Sequence, residues 1–199
     1  MKLQRRTLNL MLAAALALGG AALDAQAQGR KDSVVLGMVL EPTSLDPTTA
    51  PSASIGEIVH YNILEGLTRI NQAGAVFPLL ARDWSSDPDG KSYTFKLRKG
   101  VKFHSGNAFT ADDVIWTYNR IQKSDDYKGL FTVYEGMKKV DDYTVDLVAK
   151  VPYPLVLQNA TYLFVMDSKF YTGKTEDGKD KDEIVKAANT YAANHVSGT

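Results

Sequence analysis

The chain has 199 residues, of which 44% are hydrophobic and 10% aromatic, and its 23 lysines and arginines are balanced by 23 aspartates and glutamates. This composition is typical of a soluble globular chain that is long enough to bury a core. Nucleic-acid binding is disfavoured because no strongly basic face with interleaved aromatics is evident, and the lack of cysteine in this sequence excludes disulfides, thiolate metal sites and cysteine nucleophiles within it.

The first residues have the pattern of a secretory signal peptide. A charged start from Met1 to Arg6 precedes an apolar run from Leu8 to Leu18, and Ala25-Gln26-Ala27 resembles a cleavage site. The apolar run is shorter than the roughly 20 residues that a membrane-spanning helix needs. We therefore expect a cleaved leader over 1–27 rather than a membrane anchor.

The segment up to Ile70 predicts a strand, a loop, a helix and a short strand. Val34 to Val39 is an almost continuous apolar run, as expected of a central strand covered on both faces. Pro42 ends that strand and opens a loop rich in Pro, Thr, Ser and Ala. Ser54 is placed to cap the helix, Gly66 marks its end, and Leu67 to Ile70 predicts the second strand.

Residues 81–120 carry the densest structural signals. Apolar and polar residues alternate from Tyr93 to Leu97, which is typical of a half-buried strand. Asp87 to Gly90 predicts a turn before that strand. The alternation resumes over Val101 to Phe103 after Lys99-Gly100, so the sequence predicts that these two strands pair as a hairpin.

A helix is predicted to begin directly after these strands. Thr110 and Asp113 have the spacing of a capping box, and carboxylates are favoured in the first turn of a helix. The apolar face of this helix is formed by Val114, Ile115, Tyr118 and Ile121.

The remaining chain predicts a second hairpin and several short elements. The two strands of the hairpin flank Asp141-Asp142 and are expected to extend the first sheet. The predicted elements are strands over 137–140 and 143–148, a helix over 155–160, a strand over 163–166, a polar loop over 172–182, and a helix over 183–194 capped by Asp182.

Three motifs follow one another in a fixed order along the chain. The first two are Ser44-Leu45-Asp46-Pro47, and Tyr61-Asn62 with Glu65-Gly66-Leu67. The third comprises Ala81, Trp84, Asp89-Gly90, Tyr93-Thr94-Phe95, Leu97-Arg98, Gly100-Val101-Lys102-Phe103-His104, Gly106, Thr110-Ala111 and Asp113-Val114. Together they closely resemble the peptide-binding family of extracytoplasmic receptors for ABC importers, the dipeptide, oligopeptide and nickel group called solute-binding protein family 5. The resemblance spans residues 33 to 199.

The resemblance implies a mixed α+β fold. This fold is the first lobe of a two-lobe architecture like that of periplasmic binding proteins of class II, cluster C, and it is incomplete because family members are much longer. We therefore expect an N-terminal fragment. The implied divisions are a signal peptide at 1–27, the start of the lobe I core at 28–80, a small β-rich subdomain at 81–165 that includes a helix over 111–123, and a loop and helix at 166–199 that lead back to lobe I.

The resemblance also implies a function and a location. The expected protein is a periplasmic receptor that binds short peptides and delivers them to an ABC permease, whose separate ATPase supplies the energy. It is expected to be a monomer at full length, with no cofactor. Because bacterial lipoproteins are anchored through a cysteine, a free protein in the periplasm of a Gram-negative bacterium is expected. Nickel chelate, heme, opine and oligosaccharide stay open as alternative cargoes.

Two groups of residues are candidates for ligand contact. By resemblance, Pro51-Ser52-Ala53-Ser54 lies where family members place an extended segment beside the bound peptide. The main chain of that segment can pair with the main chain of the peptide, whatever side chains the peptide carries. The alternative is a surface loop with Ser54 capping a helix. Tyr127 and Phe131, with Tyr134 nearby, lie where the family places an aromatic in the pocket, and the alternative is a role in the core.

Catalysis and metal binding are not predicted. Glu57 and His60 are three residues apart on a predicted helix, but two ligands are too few for a metal ion, and His104 and His195 have no partner at ligand spacing. Capping and turn formation explain the paired aspartates. The sequence has no GxSxG, HExxH or P-loop motif, and no GxGxxG after a strand, so an exported hydrolase is a remote alternative.

Overall fold

The computed structural model describes residues 33, 35–50, 52–184 and 190–199. The predicted signal peptide over 1–27, Val34 of the predicted first strand and the predicted ligand residue Pro51 lie outside those residues. Residues 40–199 form one compact unit. No helix in the described parts is long and apolar enough to span a bilayer.

The described residues contain helices and strands in a mixed order, which confirms the predicted α+β class. The strands are β1 Thr68–Ile70, β2 Val76–Pro78, β3 Ala81–Ser86, β4 Ser92–Leu97, β5 Tyr134–Asp141 and β6 Thr144–Ala149. The helices are α1 Ala53–Val59, α2 Ala111–Gln122, α3 Val156–Asn159, α4 Ser168–Tyr171 and α5 Tyr191–Asn194, with short 3-10 turns at Lys128–Phe131 and Ala160–Tyr162.

A four-stranded antiparallel sheet with the order β3-β4-β6-β5 is the centre of the fold. Trp84 lies opposite Phe95, and Phe95 lies opposite Val145 on the next strand. The inward side chains of β4 and β6 are buried, as the alternating pattern predicts. The predicted hairpin around Asp141-Asp142 is confirmed, because β5 and β6 pair with each other and extend the sheet.

The predicted pairing of Tyr93–Leu97 with Val101–Phe103 is wrong. Both edges of β4 are occupied, by β3 on one side and β6 on the other, so β4 has no edge left for another partner. Among the described residues, 101–103 makes only an isolated bridge between Lys102 and Ala108. The strand that forms a hairpin with β4 is instead β3, and the tight turn between them is Asp87 to Gly90. There the Gly90 amide donates to the Asp87 carbonyl at 2.9 Å, and Gly90 has φ +67°.

Helix α2 begins as the capping box predicts. The backbone N–H of Thr110 donates to Oδ2 of Asp113 at 2.9 Å. The other carboxylate oxygen of Asp113 accepts hydrogen bonds from the backbone N–H of Ser168 at 3.1 Å and from its hydroxyl at 2.7 Å. One carboxylate therefore starts α2 and also fixes the start of α4.

Two clusters of buried apolar side chains hold these elements together. The larger one joins the sheet to α2 and includes Phe95, Val114, Tyr118 and Val145. The smaller one packs α1 against α4 and α5 and includes Ile55, Val59, Phe164, Tyr171 and Ala192. The predicted division of the chain into four parts stays a prediction.

Three further predictions are corrected by the structure. Residues 163–166 are buried, as expected, but they form no strand beyond one bridge between Gly66 and Phe164. Residues 35–39 form no strand, and Val35 and Val39 are 94% and 98% exposed. A strand needs a neighbour that forms hydrogen bonds with it, and none of the described strands pairs with this segment.

The predicted helix over 183–194 is the third correction. Thr190 has an extended backbone, with ψ 165°, and its hydroxyl accepts from the Ala193 N–H as the cap of the short helix α5. One continuous helix is therefore not formed, because the backbone leaves helical geometry at Thr190. Residues 185–189 lie outside the described part of the chain.

Candidate functional site

The segment that leads to the predicted ligand-binding residues is a turn built by its own polar side chains. The backbone N–H of Asp46 donates to the Ser44 hydroxyl at 3.0 Å, and the N–H of Thr48 donates to Oδ1 of Asp46 at 2.9 Å. The hydroxyls of Thr48 and Thr49 donate to the side chain and carbonyl of Asp46 at 2.7 and 3.0 Å. All four of these side chains are buried, so the turn is an internal feature.

Contacts from distant parts of the chain hold this turn in place. Arg120, on α2, forms an ion pair with Asp46 at 2.7 Å between Nη2 and Oδ2. Its other terminal nitrogen donates to Oδ1 at 3.0 Å. The Leu45 N–H donates to the Ala193 carbonyl at 2.9 Å. The turn is thus fixed to both α2 and α5.

The predicted ligand segment leaves the buried turn and reaches the surface at the start of α1. Ser52 is half-buried, Ala53 is exposed and Ser54 is buried, while Pro51 lies outside the described residues. The hydroxyl oxygens of Ser52 and Ser54 are 2.8 Å apart. The predicted cap Ser54 is wrong by two positions, because Ser52 occupies the cap position and its side chain makes no capping hydrogen bond.

The predicted aromatic residues lie in the core. Tyr127 and Phe131 are 2% and 1% exposed, and the Tyr127 hydroxyl donates to the Tyr162 carbonyl at 2.9 Å. Burial raises the pKa of Tyr127 well above its ordinary value, so this hydroxyl stays protonated and can donate. The sequence left two roles open for these residues, ligand contact and core packing, and their burial matches core packing. Tyr134 is also buried, at 4% exposure.

The ligand role of Tyr127 and Phe131 stays a prediction. Neither ring presents an appreciable surface in this structure, so a direct contact with a ligand requires their surroundings to move. Ser52 and Ala53 need no such movement.

The histidine on α1's C-terminal side has an apolar environment. The His60 ring stacks on Phe164 with 3.7 Å between ring centroids. Burial lowers the pKa of His60 from 6.5 to about 4. The imidazole is therefore neutral at neutral pH. Within the described residues no group of three or more His, Cys, Asp or Glu side chains is arranged to hold a metal ion.

Sequence reasoning missed Arg120. Its position was unremarkable in the helical pattern, although Thr117 and Ile121, its neighbours on the same face, are fully or almost fully buried. A charged side chain between buried positions is a signal of an internal partner. The partner could not be identified from spacing, because Asp46 is 74 residues away in sequence.

Comparisons with known proteins agree on one family. A family model described as bacterial extracellular solute-binding proteins, family 5 Middle, matches residues 75–193. The Di/tripeptide-binding protein 1 of Pseudomonas aeruginosa is 28% identical over 196 residues, which cover 87% of this chain and 36% of that protein. The dipeptide-binding protein of Escherichia coli is 39% identical over 97 residues, which cover 39% of this chain and 18% of that protein.

Solved structures give the same result. The dipeptide-binding protein of Pseudoalteromonas sp. SM9913 in complex with Met-Leu matches with a TM-score of 0.60 and 27% identity, over 66% of this chain and 30% of that one. OppA of Haemophilus influenzae, in complex with the peptide RPPGFSPFR, matches with a TM-score of 0.60 and 26% identity, over 65% of this chain and 29% of that one. The chain thus covers 18 to 36% of the length of these relatives, and it belongs to the bacterial extracellular solute-binding proteins of family 5.

Proposed function

We propose that this chain is part of the first lobe of a periplasmic receptor that binds short peptides for an ABC importer. The names of the relatives support the ligand class, because they are called dipeptide-, di/tripeptide- and oligopeptide-binding proteins. The permease, its ATPase and the periplasmic location follow from the same proposal. The predicted leader over 1–27 is consistent with export.

The observation that carries the proposal is the route of the chain from 44 to 54. A buried turn fixes Ser44 to Thr49, and the chain then reaches the surface at Ser52 and Ala53. Ser52 already uses its N–H and its carbonyl in hydrogen bonds with Ala50 and Gly56. The main-chain groups offered to an extended peptide are therefore the N–H groups in the first turn of α1, which an anchored segment presents at little cost in ordering. Such pairing recognises the backbone of the ligand and tolerates different side chains.

The proposed role is binding without catalysis. A receptor needs affinity and release, and it breaks no bond in its cargo. Enclosure between two lobes supplies most of the contact area in receptors that close on a ligand. The segment at 52–54 would contribute one wall of that enclosure.

Calorimetric titration of the full encoded protein tests this function. Trialanine and tripeptides with one bulky or charged central side chain are expected to bind within about tenfold of one another. Methylating the central amide nitrogen of trialanine is expected to weaken binding about tenfold, because one main-chain hydrogen bond is worth about 1 to 1.5 kcal/mol. Maltotriose and free alanine are the controls for other cargoes.

The titration also separates the alternatives. Binding of the sugar but of no peptide would contradict the proposal and favour an oligosaccharide receptor. Release of alanine from trialanine during the titration would contradict the receptor role and favour an exported hydrolase.

A further inference from the structure

Asp46 and Arg120 form a fully internal ion pair. Their side chains are 0% and 2% exposed. One guanidinium nitrogen donates to Oδ1 of Asp46 at 3.0 Å, and the other lies 2.7 Å from Oδ2 as an ion pair without hydrogen-bond geometry. Two guanidinium nitrogens against one carboxylate restrict the directions of both groups more than a single contact does.

The same guanidinium contacts two distant segments of the chain. From α2 it reaches Asp46, it donates to the Thr48 hydroxyl, and it donates to the Glu183 carbonyl at 3.2 Å. Thr48 in turn donates twice to Asp46. Arg120 therefore holds the turn at 46–48 as one unit against the helix.

Stability of the fold alone is a weak explanation for this pair. Desolvating two charges largely offsets their attraction, and replacing a buried ion pair by uncharged residues of similar shape is often neutral for stability. What such a pair does provide is one defined geometry. The geometry that it defines here belongs to the turn from which the predicted ligand segment starts.

We propose that Arg120 is a positioning residue for ligand binding, which acts through Asp46 to hold the loop at 47–50, and with it the start of α1 at 52–54, in the conformation that binds a peptide. This inference rests on the proposed function. Without the pair, the loop would sample other conformations, and the apparent dissociation constant would rise in inverse proportion to the fraction of time that the loop spends in the competent one. A competent fraction of one tenth gives a tenfold weaker complex.

The test uses the double variant Asp46→Asn/Arg120→Met in the full encoded protein. Asparagine keeps an acceptor oxygen for the Thr48 N–H, and methionine fills the space of the arginine stem without a charge. The matched control is Asp112→Asn/Lys139→Met, which removes an exposed ion pair of 2.8 Å that involves the same helix, together with the contact of Lys139 with Asp142 at 2.9 Å. Thermal unfolding, hydrogen exchange of the amides in 47–54 and calorimetric binding of the dipeptide Met-Leu and of trialanine are measured for each protein.

The proposal predicts a specific combination of results. The double variant keeps a melting temperature close to that of the wild type, exchanges its amides in 47–54 at least tenfold faster, and binds whichever peptide the wild type binds at least tenfold more weakly. The control variant matches the wild type in all three measurements. Wild-type exchange and wild-type peptide affinity in a folded double variant would overturn the proposal, because the pair would then be only structural.

Two further arms keep the test decisive. If the double variant does not fold, Arg120→Lys retains the charge and loses the two-pronged contact, and it is expected to fold with faster exchange at 47–54 and weaker binding. An Arg120→Lys protein with wild-type exchange and affinity would overturn the proposal. If the wild type binds no peptide, the proposed function fails, and unchanged exchange at 47–54 in the variants would separately overturn the positioning role.

Discussion

Asp112 and Asp113 are adjacent in the first turn of α2 but have different surroundings. Asp113 is 3% exposed and accepts hydrogen bonds from Thr110 and Ser168. The Asp112 side chain is 66% exposed and pairs with Lys139. We predict that Asp113→Ala lowers the free energy of unfolding by about 2 to 4 kcal/mol, because a cap is lost and buried donors are left without an acceptor.

The neighbouring substitution is the control. Asp112→Ala is expected to cost less than about 1 kcal/mol, since exposed ion pairs contribute little. Chemical denaturation of both variants measures the difference. Equal losses at the two positions would show that Asp113 has no special role.

His60 makes stability depend on pH. Burial lowers its pKa to about 4 in the folded protein, against 6.5 for an unperturbed histidine. Between these two values the unfolded chain binds the proton and the folded one does not, so stability falls as the pH drops from 6.5 to 4. Because the ring is half-buried, we expect this loss to be on the order of 1 to 2 kcal/mol.

His60→Phe isolates that contribution. Phenylalanine keeps a ring to stack on Phe164 and removes the titrating group. Denaturation at about pH 7 and about pH 4 should show that the wild type loses more stability than the variant. A variant that loses as much as the wild type would mean that other groups cause the pH dependence.

At the scale of elements, we expect β4 to be the strand best protected from hydrogen exchange. It forms hydrogen bonds with β3 on one side and β6 on the other, and Phe95 and Leu97 are buried beneath it. Amides in 92–97 should therefore exchange close to the rate of global unfolding, while those in 101–103 exchange faster. Native-state hydrogen exchange measures this. Equal protection of the two segments would support the hairpin that the sequence predicted.

Local signals were sufficient for many elements. The capping box located the start of α2, and the turn at Asp141-Asp142 located the hairpin of β5 and β6, because both features depend on neighbours in sequence. The partner of β4 could not be predicted, since β6 is about 50 residues away and its pairing with β4 depends on the whole sheet. The run at 35–39 has the composition of a strand, but composition does not supply the hydrogen-bonding neighbour that a strand needs.

Part of the candidate site, like part of the fold, was predictable from the sequence. Resemblance indicated the segment at 51–54, which reaches the surface at Ser52 and Ala53. The burial of Tyr127 and Phe131 depends on tertiary packing, which residue type alone does not fix. The contact between Arg120 and Asp46 joins two segments that no periodic pattern relates.

At the scale of the whole molecule, the proposed function makes the chain one part of a receptor. It spans 36% of the di/tripeptide-binding relative and about 30% of the matched solved structures. We propose that the remaining length of the full protein supplies the second wall around the ligand. In that case peptide affinity belongs to the full protein, because one wall cannot exclude water from both sides of the ligand.

Native mass spectrometry of the full protein, purified from its own cells without refolding, tests the central claim most directly. Peptides that a closed receptor holds tightly are expected to stay bound during purification. The account predicts added masses in the range of short peptides, which disappear on denaturation and are identified as peptides by fragmentation. A ligand of another class, or a protein that stays unliganded after incubation with a mixture of short peptides, would contradict it.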